Sequence, residues 1–242
     1  APETKDNNFT WKDYQDRNNN ELLAIFGNFV NRTLVLTHKY FEGKVPAMAN
    51  LNENDNAAIE EMNQYPEKIG HLIDTYKFRE ALSELMNLAR LGNRYLTENE
   101  PWKQFKTDPE RVKTVLAVSL QIVAKLAILS EPFLPFSAKK LQAMIGLNVE
   151  GWNQAEETVL LPEDSVIGEV ELLFTKVEDE TVAAQVKKLE DTKKQNELNA
   201  WAPNPIKPNT NIDEFGKITH STAAAGALVY CSHAPDLIQE ES

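Results

Sequence analysis

The chain has 242 residues, a hydrophobic content of 42% and a formal net charge of −12, enough length and apolar content for one sizeable core with appendages. A single cysteine excludes an internal disulfide framework and a multi-cysteine zinc site, so we expect a cytoplasmic protein that binds no metal. The longest apolar run, at residues 115–129, is interrupted by Ser119, Gln121 and Lys125, and no membrane association is expected.

The acidic charge is concentrated after Gly146. Up to that residue the sequence holds 18 Lys and Arg against 19 Asp and Glu, whereas the remainder holds 7 against 18. Phosphate contacts supply most non-specific affinity for nucleic acid, so the chain is not expected to coat a duplex by charge. A near-neutral body can still bind one RNA loop through a local patch.

The N-terminal pattern predicts a long first helix that begins near Trp11. Thr10 and Asp13 match a capping box, and Phe9 is placed to pack against Tyr14. Apolar residues then recur at the three- and four-residue spacing of one buried helix face, until Gly43 and Pro46 stop the pattern. These apolar residues are Leu22, Ile25, Phe26, Phe29, Val30 and Leu34.

Four further helices are predicted at residues 56–76, with Pro66 as a break or kink, and at 78–98, 109–130 and 137–145. Asp108 caps the fourth helix and Pro109 takes its first position, while Gly146 is suited to end the fifth. The fourth helix is apolar on most sides, which predicts a central, buried helix. The predicted fold class is therefore all-α, a bundle of about five helices over residues 1–146.

The character of the sequence changes beyond Gly146. Residues 147–200 are predicted to form a connecting segment, irregular or briefly extended at 152–174, and a charged return helix at 179–199 with a thin apolar stripe. Residues 201–242 are predicted to be a linker and tail, and Pro205 and Pro208 stiffen the linker at 204–209.

Motifs for bond-making chemistry are absent from the sequence. It contains no Gly-rich phosphate loop and no recognisable nucleophile motif. The four histidines, His38, His71, His220 and His233, lack the spacing of metal ligands. Adjacent carboxylates such as Glu60 and Glu61 are explained more simply as a solvated face than as an acid–base pair. Recognition is therefore the expected role.

Polar residues on the first helix, together with a later turn, suit recognition of single-stranded RNA. Asn28, Asn31, Val35 and Lys39 are spaced by three, four and four residues and line one helix face. An asparagine offers a donor and an acceptor to a base edge, and a lysine offers a cation. Pro101 fixes a turn that displays Trp102, whose indole can stack on a base, as proteins that read RNA loops require.

Two stretches together resemble the anticodon-binding helical domain of methionyl-tRNA synthetases, of the class Ia type. The first is Phe26-Gly27-Asn28-Phe29-Val30-Asn31-Arg32, and the second is Asn93-Arg94-Tyr95 followed by Glu100-Pro101-Trp102-Lys103. The resemblance covers about residues 10–201. It implies recognition of the CAU anticodon of methionine tRNA as part of a methionine-tRNA ligase, an aminoacyl-tRNA synthetase.

The resemblance also implies which residues bind the anticodon. Trp102 matches the family's anticodon-contacting tryptophan, and Lys39 falls where the family often has a basic residue. Val35 stands where many members have a base-reading asparagine, so either Asn31 or Asn28 takes part of the reading, or hydrogen bonding is weaker. The candidate site residues are Asn28, Asn31, Arg32, Lys39, Asn93, Arg94, Pro101 and Trp102.

Other parts of the family pattern are missing. The nucleotide-binding motifs His-Ile-Gly-His and Lys-Met-Ser-Lys-Ser do not occur, so we expect a fragment without ligase activity of its own. ATP and magnesium, with zinc as a further candidate, would bind in the catalytic domain of the same enzyme, which is also an expected partner. Residues 211–218 resemble the opening strand of an oligonucleotide-binding-fold tRNA-binding domain, until the likeness fails at Thr219. Such an appended domain, if present, would offer a route to a homodimer.

Two alternatives stay open at this point. The same residues could form the docking surface of a helical protein-interaction module that binds no RNA, in which Arg94 pairs with a nearby acid and Asn93 holds its own turn. The chain could also be a helical lid or scaffold of a different enzyme. That alternative predicts that Asn31 and Trp102 lie on opposite sides of the bundle.

Overall fold

A computed structural model describes residues 8–201, 210–212 and 218–220. The predicted all-α class is confirmed. The helical elements, in chain order, are α1 (Trp11–Arg17), a π-helical segment (Asn18–Gly27), α2 (Asn28–Phe41), α3 (Glu53–Asp74), α4 (Phe78–Asn99), α5 (Pro101–Gln104), α6 (Pro109–Leu129), α7 (Pro135–Ile145), a 3₁₀ turn (Trp152–Glu156) and α8 (Asp179–Trp201). The chain divides into two compact units, residues 1–185 and 186–242.

Two helices begin earlier than predicted, and each has a local cause. α3 begins at Glu53 because Asn52 and Asp55 cap it reciprocally, each side chain accepting a hydrogen bond from the other residue's backbone N–H at 2.9 Å. α7 begins at Pro135, a residue suited to the first helical position because it lacks the N–H that would be unpaired there.

The predicted first helix is one continuous run of α1, the π-helical segment and α2. The Thr10 side chain caps it by accepting from the backbone N–H of Asp13 at 3.0 Å, and the rings of Phe9 and Tyr14 lie 6.5 Å apart, as predicted. The Asp13 carboxylate accepts from the Nε of Arg17 at 3.0 Å instead of completing the predicted capping box. The π-helical turns were not predicted, because three- and four-residue apolar spacing does not distinguish π from α geometry over ten residues.

α6 is the central helix of the first unit, as predicted. Residues 112 and 114–129 are buried, and α2, α3, α4, α5 and α7 pack around them. By length and composition α6 could cross a bilayer, contrary to the expectation that no segment was apolar enough, but 94% of its most apolar stretch is buried within the protein. Its hydropathy is thus explained by its place in the core.

The polar residues that interrupt α6 fix the irregular segment after α7. Gln121 donates to the carbonyl of Leu161 at 2.8 Å and accepts from the backbone N–H of Leu160 and Leu161 at 2.7 and 3.0 Å. The Nζ of Lys125 donates to the carbonyls of Ala155 and Glu157 at 2.5 and 2.8 Å. Burial lowers the pKa of Lys125 to about 8.

Further hydrogen bonds join residues 163–178 to the first helical run and to the loop directly after it. The backbone of Val45 exchanges hydrogen bonds with Ser165 and Asp164 at 2.9 Å, and the Nε2 of His38 donates to the carbonyl of Gly168 at 2.9 Å. The Asn19 side chain both donates to and accepts from the backbone of Val177 at 2.9 Å. The connecting segment therefore belongs to the same compact unit as the bundle.

The second unit contains the later part of α8 and a two-stranded antiparallel sheet, in which β1 (Thr210–Ile212) pairs with β2 (Ile218–His220) and Ile212 lies opposite Ile218. α8 confirms the predicted charged helix, and Leu189 of its apolar stripe is exposed. The predicted linker at 204–209, the tail from 221, and residues 213–217 of the predicted opening strand lie outside the described residues.

We expect Gly92→Ala to destabilise the fold by about 1–3 kcal/mol, because overpacking a filled core has a cost of that size. Gly92 lets α4 approach α2 so closely that a Cβ there would overlap the ring of the fully buried Phe29. Gly151→Ala is the matched control, since a Cβ at Gly151 meets no atom within 4 Å. Chemical denaturation measures both, and equal midpoints for the two variants would contradict the packing argument.

The free energy of unfolding should rise by about 1.5 kcal/mol from pH 8 to 9.5 through Lys125 alone. Its pKa is about 8 in the folded protein against an ordinary 10.5, so in this window the unfolded chain binds a proton that the folded chain has lost. The window ends below the ordinary tyrosine pKa of 10, above which Tyr65, whose pKa burial raises to about 12, acts in the opposite direction.

Denaturation at stepped pH checks this linkage with two variants. In Lys125→Met the free energy of unfolding should lose this contribution to its rise between pH 8 and 9.5. Lys139→Met, at an exposed position of α7, should keep it. A profile for Lys125→Met that parallels the unsubstituted chain would show that Lys125 is not the group responsible.

Candidate nucleic-acid interface

α2 presents a polar face to solvent along its full length. Asn28, Val35 and Lys39 are exposed, and Asn31 and Arg32 are half-buried, while the opposite face packs into the core through Phe29, Val30, Thr33, Leu34 and Thr37. Within the described part of the chain, the Asn28 and Asn31 side chains have no hydrogen-bond partner. Their amide groups are thus available to a ligand.

A strained turn displays Trp102. α4 ends at Asn99, and Glu100 takes left-handed backbone angles of φ 38° and ψ 55°, which are costly for a residue with a side chain. Pro101, which is buried, starts α5 at its first position, and the following Trp102 is 37% exposed. The indole is therefore accessible, as base stacking requires.

Two ring contacts hold this turn against α2. The guanidinium carbon of Arg32 lies 4.8 Å from the Trp102 ring centroid, and the rings of Tyr40 and Phe105 stack at 4.0 Å with an interplanar angle of 13°. Arg32 and Tyr40 are about 12 Å apart along the helix axis, so the turn follows α2 for two helical turns. Since Arg32 follows Asn31, the turn lies beside the α2 segment with the predicted amides, not across the bundle from it.

A buried carboxylate fixes the base of the turn. Asp55, at the start of α3, is fully buried. It accepts hydrogen bonds from both terminal nitrogens of Arg111, at 2.5 and 2.7 Å, and from the Tyr95 hydroxyl at 2.5 Å. Arg111 also donates to the Asn99 side chain at 2.6 Å, directly before Glu100. The network thus joins α3, α4 and α6 to the residue from which the turn begins.

The protonation states of this network are settled by its hydrogen bonds. Burial favours the neutral form of Asp55, but hydrogen bonds from Arg111, Tyr95 and the Asn52 backbone outweigh it and hold the pKa of the carboxyl below its ordinary value. Burial and the neighbouring carboxylate raise the pKa of Tyr95. Asp55 is therefore charged and Tyr95 is a neutral donor at physiological pH.

Three of the predicted site residues lie off the polar face of α2. The Asn93 side chain donates to the carbonyls of Ile25 and Ala89 at 2.8 and 3.2 Å, which ties α4 to the π-helical segment. Arg94 pairs with Glu61 at 2.6 Å, and Pro101 is buried. Asn93 therefore supports the π-helical segment and Arg94 joins α4 to α3, whereas Asn28, Asn31, Arg32, Lys39 and Trp102 form the accessible set.

Sequence reasoning missed Asp55, Arg111, Tyr40 and Phe105. The Asn52–Asp55 spacing is a recognisable capping box, so it could have marked the start of α3. It could not reveal the pairing with Arg111, because these residues are 56 positions apart and no local pattern relates them.

Comparisons with known proteins identify the same family that the sequence motifs resemble. The family described as the anticodon binding domain of methionyl tRNA ligase matches residues 45–194, and class I tRNA synthetases (M) match residues 1–34. The methionine–tRNA ligase of Cytophaga hutchinsonii is 54% identical over 90% of this chain and 32% of its own length. That of Phocaeicola vulgatus is 51% identical over 98% and 34%. The chain thus spans about a third of the curated relatives it matches.

A solved structure shows the same fold. The apo form of Mycobacterium tuberculosis methionyl-tRNA synthetase superposes with a TM-score of 0.64 and 22% sequence identity. The match covers 70% of this chain and 35% of that one.

Asp55→Asn should destabilise the protein by about 3–5 kcal/mol at neutral pH, because Arg111 would then keep a charge that has lost its partner. The folded pKa of Asp55 is lowered, so its contribution is complete above the ordinary pKa and is lost as the pH falls through the folded value. The difference in the free energy of unfolding between the variant and the unsubstituted chain should therefore disappear at acidic pH. Glu53→Gln, an exposed change in the same helical turn, is the control. A loss below 1 kcal/mol at pH 7 would contradict the role of the network.

Proposed function

This chain belongs to the methionyl-tRNA ligase family through its anticodon-binding domain, and from that premise we propose that the face of α2 and Trp102 read the CAU anticodon of methionine tRNA. The observation that carries the proposal is the contact of the accessible Trp102 ring with Arg32 of that face. A stacking ring and free amides then border one solvent-open surface, the combination that single-stranded RNA readers use.

Four accessible residues have distinct roles in the proposed complex. Trp102 stacks a base, and Asn28 and Asn31 hydrogen-bond base edges through amides that no other described residue occupies. Lys39, which is exposed, provides a cation for a phosphate or a base carbonyl. Val35 is 44% exposed and offers only apolar contact, so discrimination falls on the two asparagines.

The remaining ligase chemistry is proposed to lie outside this chain. Within the described residues, no group of three or more metal-ligating side chains converges, and the sequence has no phosphate-binding loop. Activation of methionine with ATP and magnesium is assigned to the catalytic part of the longer relatives. Anticodon binding here would position the acceptor end of the tRNA at that distant site. The alternative of a protein-interaction module is not favoured by the family match.

The test is binding of an anticodon stem-loop to the 242-residue chain. We expect tighter binding of a CAU loop than of a scrambled loop, and Trp102→Ala should weaken CAU binding about 5- to 150-fold, the loss of one base stack. Asn31→Ala should weaken binding of the CAU loop more than binding of the scrambled loop, so the preference for CAU should fall.

Phe136→Ala is the matched control, because Phe136 is a solvent-exposed aromatic residue, 88% accessible, on the separate helix α7. It should leave both affinities unchanged. Equal binding of the two loops, or no loss with Trp102→Ala, would eliminate anticodon reading and leave the protein-interaction alternative.

A further inference from the structure

Arg32 differs in its partner from four other arginines of the bundle. Arg17, Arg90, Arg94 and Arg111 each form an ion pair with a carboxylate. In the described part of the chain no carboxylate pairs with Arg32, and its guanidinium lies over the Trp102 ring, with its carbon 4.8 Å from the ring centroid. The ring proposed to stack a base is thus partly covered in the free protein.

The strengths of the competing contacts favour an exchange. A cation–π contact at an accessible site changes an equilibrium constant by about two- to fivefold. Stacking of a base on an aromatic side chain is worth about 5- to 150-fold. A displaced guanidinium also gains a partner that it now lacks, because phosphate oxygens accept hydrogen bonds from arginine in a bidentate geometry.

We propose that Arg32 is a displaceable cover of Trp102, which a base replaces on the ring while the guanidinium turns to a phosphate of the same strand. This inference rests on the proposed function and adds a selectivity to it. Arg32 opposes stacking by a nucleobase that brings no phosphate, and it favours a base that arrives on a charged backbone. The site thereby selects a nucleic-acid strand over isolated aromatic molecules.

The exchange predicts opposite effects of one substitution on two probes. The probes are a seven-nucleotide RNA with CAU at its centre and the same strand with uncharged methylphosphonate linkages. Arg32→Gln should bind the uncharged strand about two- to fivefold more tightly, because the ring is free. It should bind the phosphodiester strand at least threefold more weakly, because a phosphate partner is lost. Weaker or unchanged binding of the uncharged strand by Arg32→Gln would overturn the proposal.

Lys39→Gln is the matched control on the same helix face. Lys39 is exposed, and its Nζ lies over the ring of Tyr40, 5.3 Å from the centroid, and not over Trp102. The substitution should weaken binding of the phosphodiester strand and should not tighten binding of the uncharged strand. Tighter binding of the uncharged strand by this variant too would show a general charge effect and would overturn the specific role of Arg32.

A measurement without RNA separates this inference from the proposed function. Quenching of Trp102 fluorescence by neutral acrylamide is obtained as the difference between each protein and its Trp102→Phe counterpart. Arg32→Gln should increase the quenching and Lys39→Gln should not. Equal quenching with and without Arg32 would overturn the cover. Quenching could change as expected while the CAU and scrambled strands bind equally. In that case the contact of Arg32 with Trp102 is confirmed, but anticodon reading and the proposed exchange are both wrong.

Discussion

The carboxylate of Asp55 is the constraint on which the candidate interface depends. A buried charge is tolerated only when it is paired and hydrogen-bonded, and here the partners come from three different helices: Asn52 caps α3, Tyr95 reaches from α4, and Arg111 reaches from α6. Satisfying one charge therefore fixes the relative positions of all three. Through Arg111 the same network holds Asn99, and because the strained turn begins at the next residue, its position is fixed by the same contacts. Trp102 is accessible because the residues before it are anchored.

α6 organises the first unit because its few polar residues are used at both ends of the helix. Arg111, near its start, serves the turn, whereas Gln121 and Lys125 bind backbone groups of residues 155–161. A helix that was apolar all round would pack as well but would not specify where an irregular segment lies. Burial lowers the pKa of Lys125, and its Nζ donates to two backbone carbonyls. The free-energy cost of burying this amine is therefore linked to the position of the connecting segment.

Much of this architecture could be predicted from the sequence, for identifiable reasons. Thr10, Asp108 and Gly146 mark helix ends through contacts with their own neighbours, so local pattern suffices. The accessible set on α2 follows from helical spacing together with the family resemblance. What could not be predicted depends on residues distant in sequence: the ion pair of Asp55 and Arg111, the stack of Tyr40 on Phe105, and the use of Asn93 as a tie to Ile25. Asn93 illustrates this limit. The sequence identifies it as part of the Asn93-Arg94-Tyr95 motif, but its partner Ile25 is known only from the structure.

The near-neutral charge of the body bears on how an anticodon could be discriminated. Anticodon loops share the same phosphates, so contacts to phosphate position a loop without identifying it. A body with 18 basic against 19 acidic residues up to Gly146 keeps this shared contribution small, and in the proposed mode binding then depends on the ring and the amides. Arg32 fits that balance, because its guanidinium is engaged with the Trp102 ring. In the proposed exchange it is released only when a strand supplies a base to replace it. In the proposed mode the phosphate contact is gained only together with the stack, so the cation adds affinity to a loop that already fits and little to one that does not.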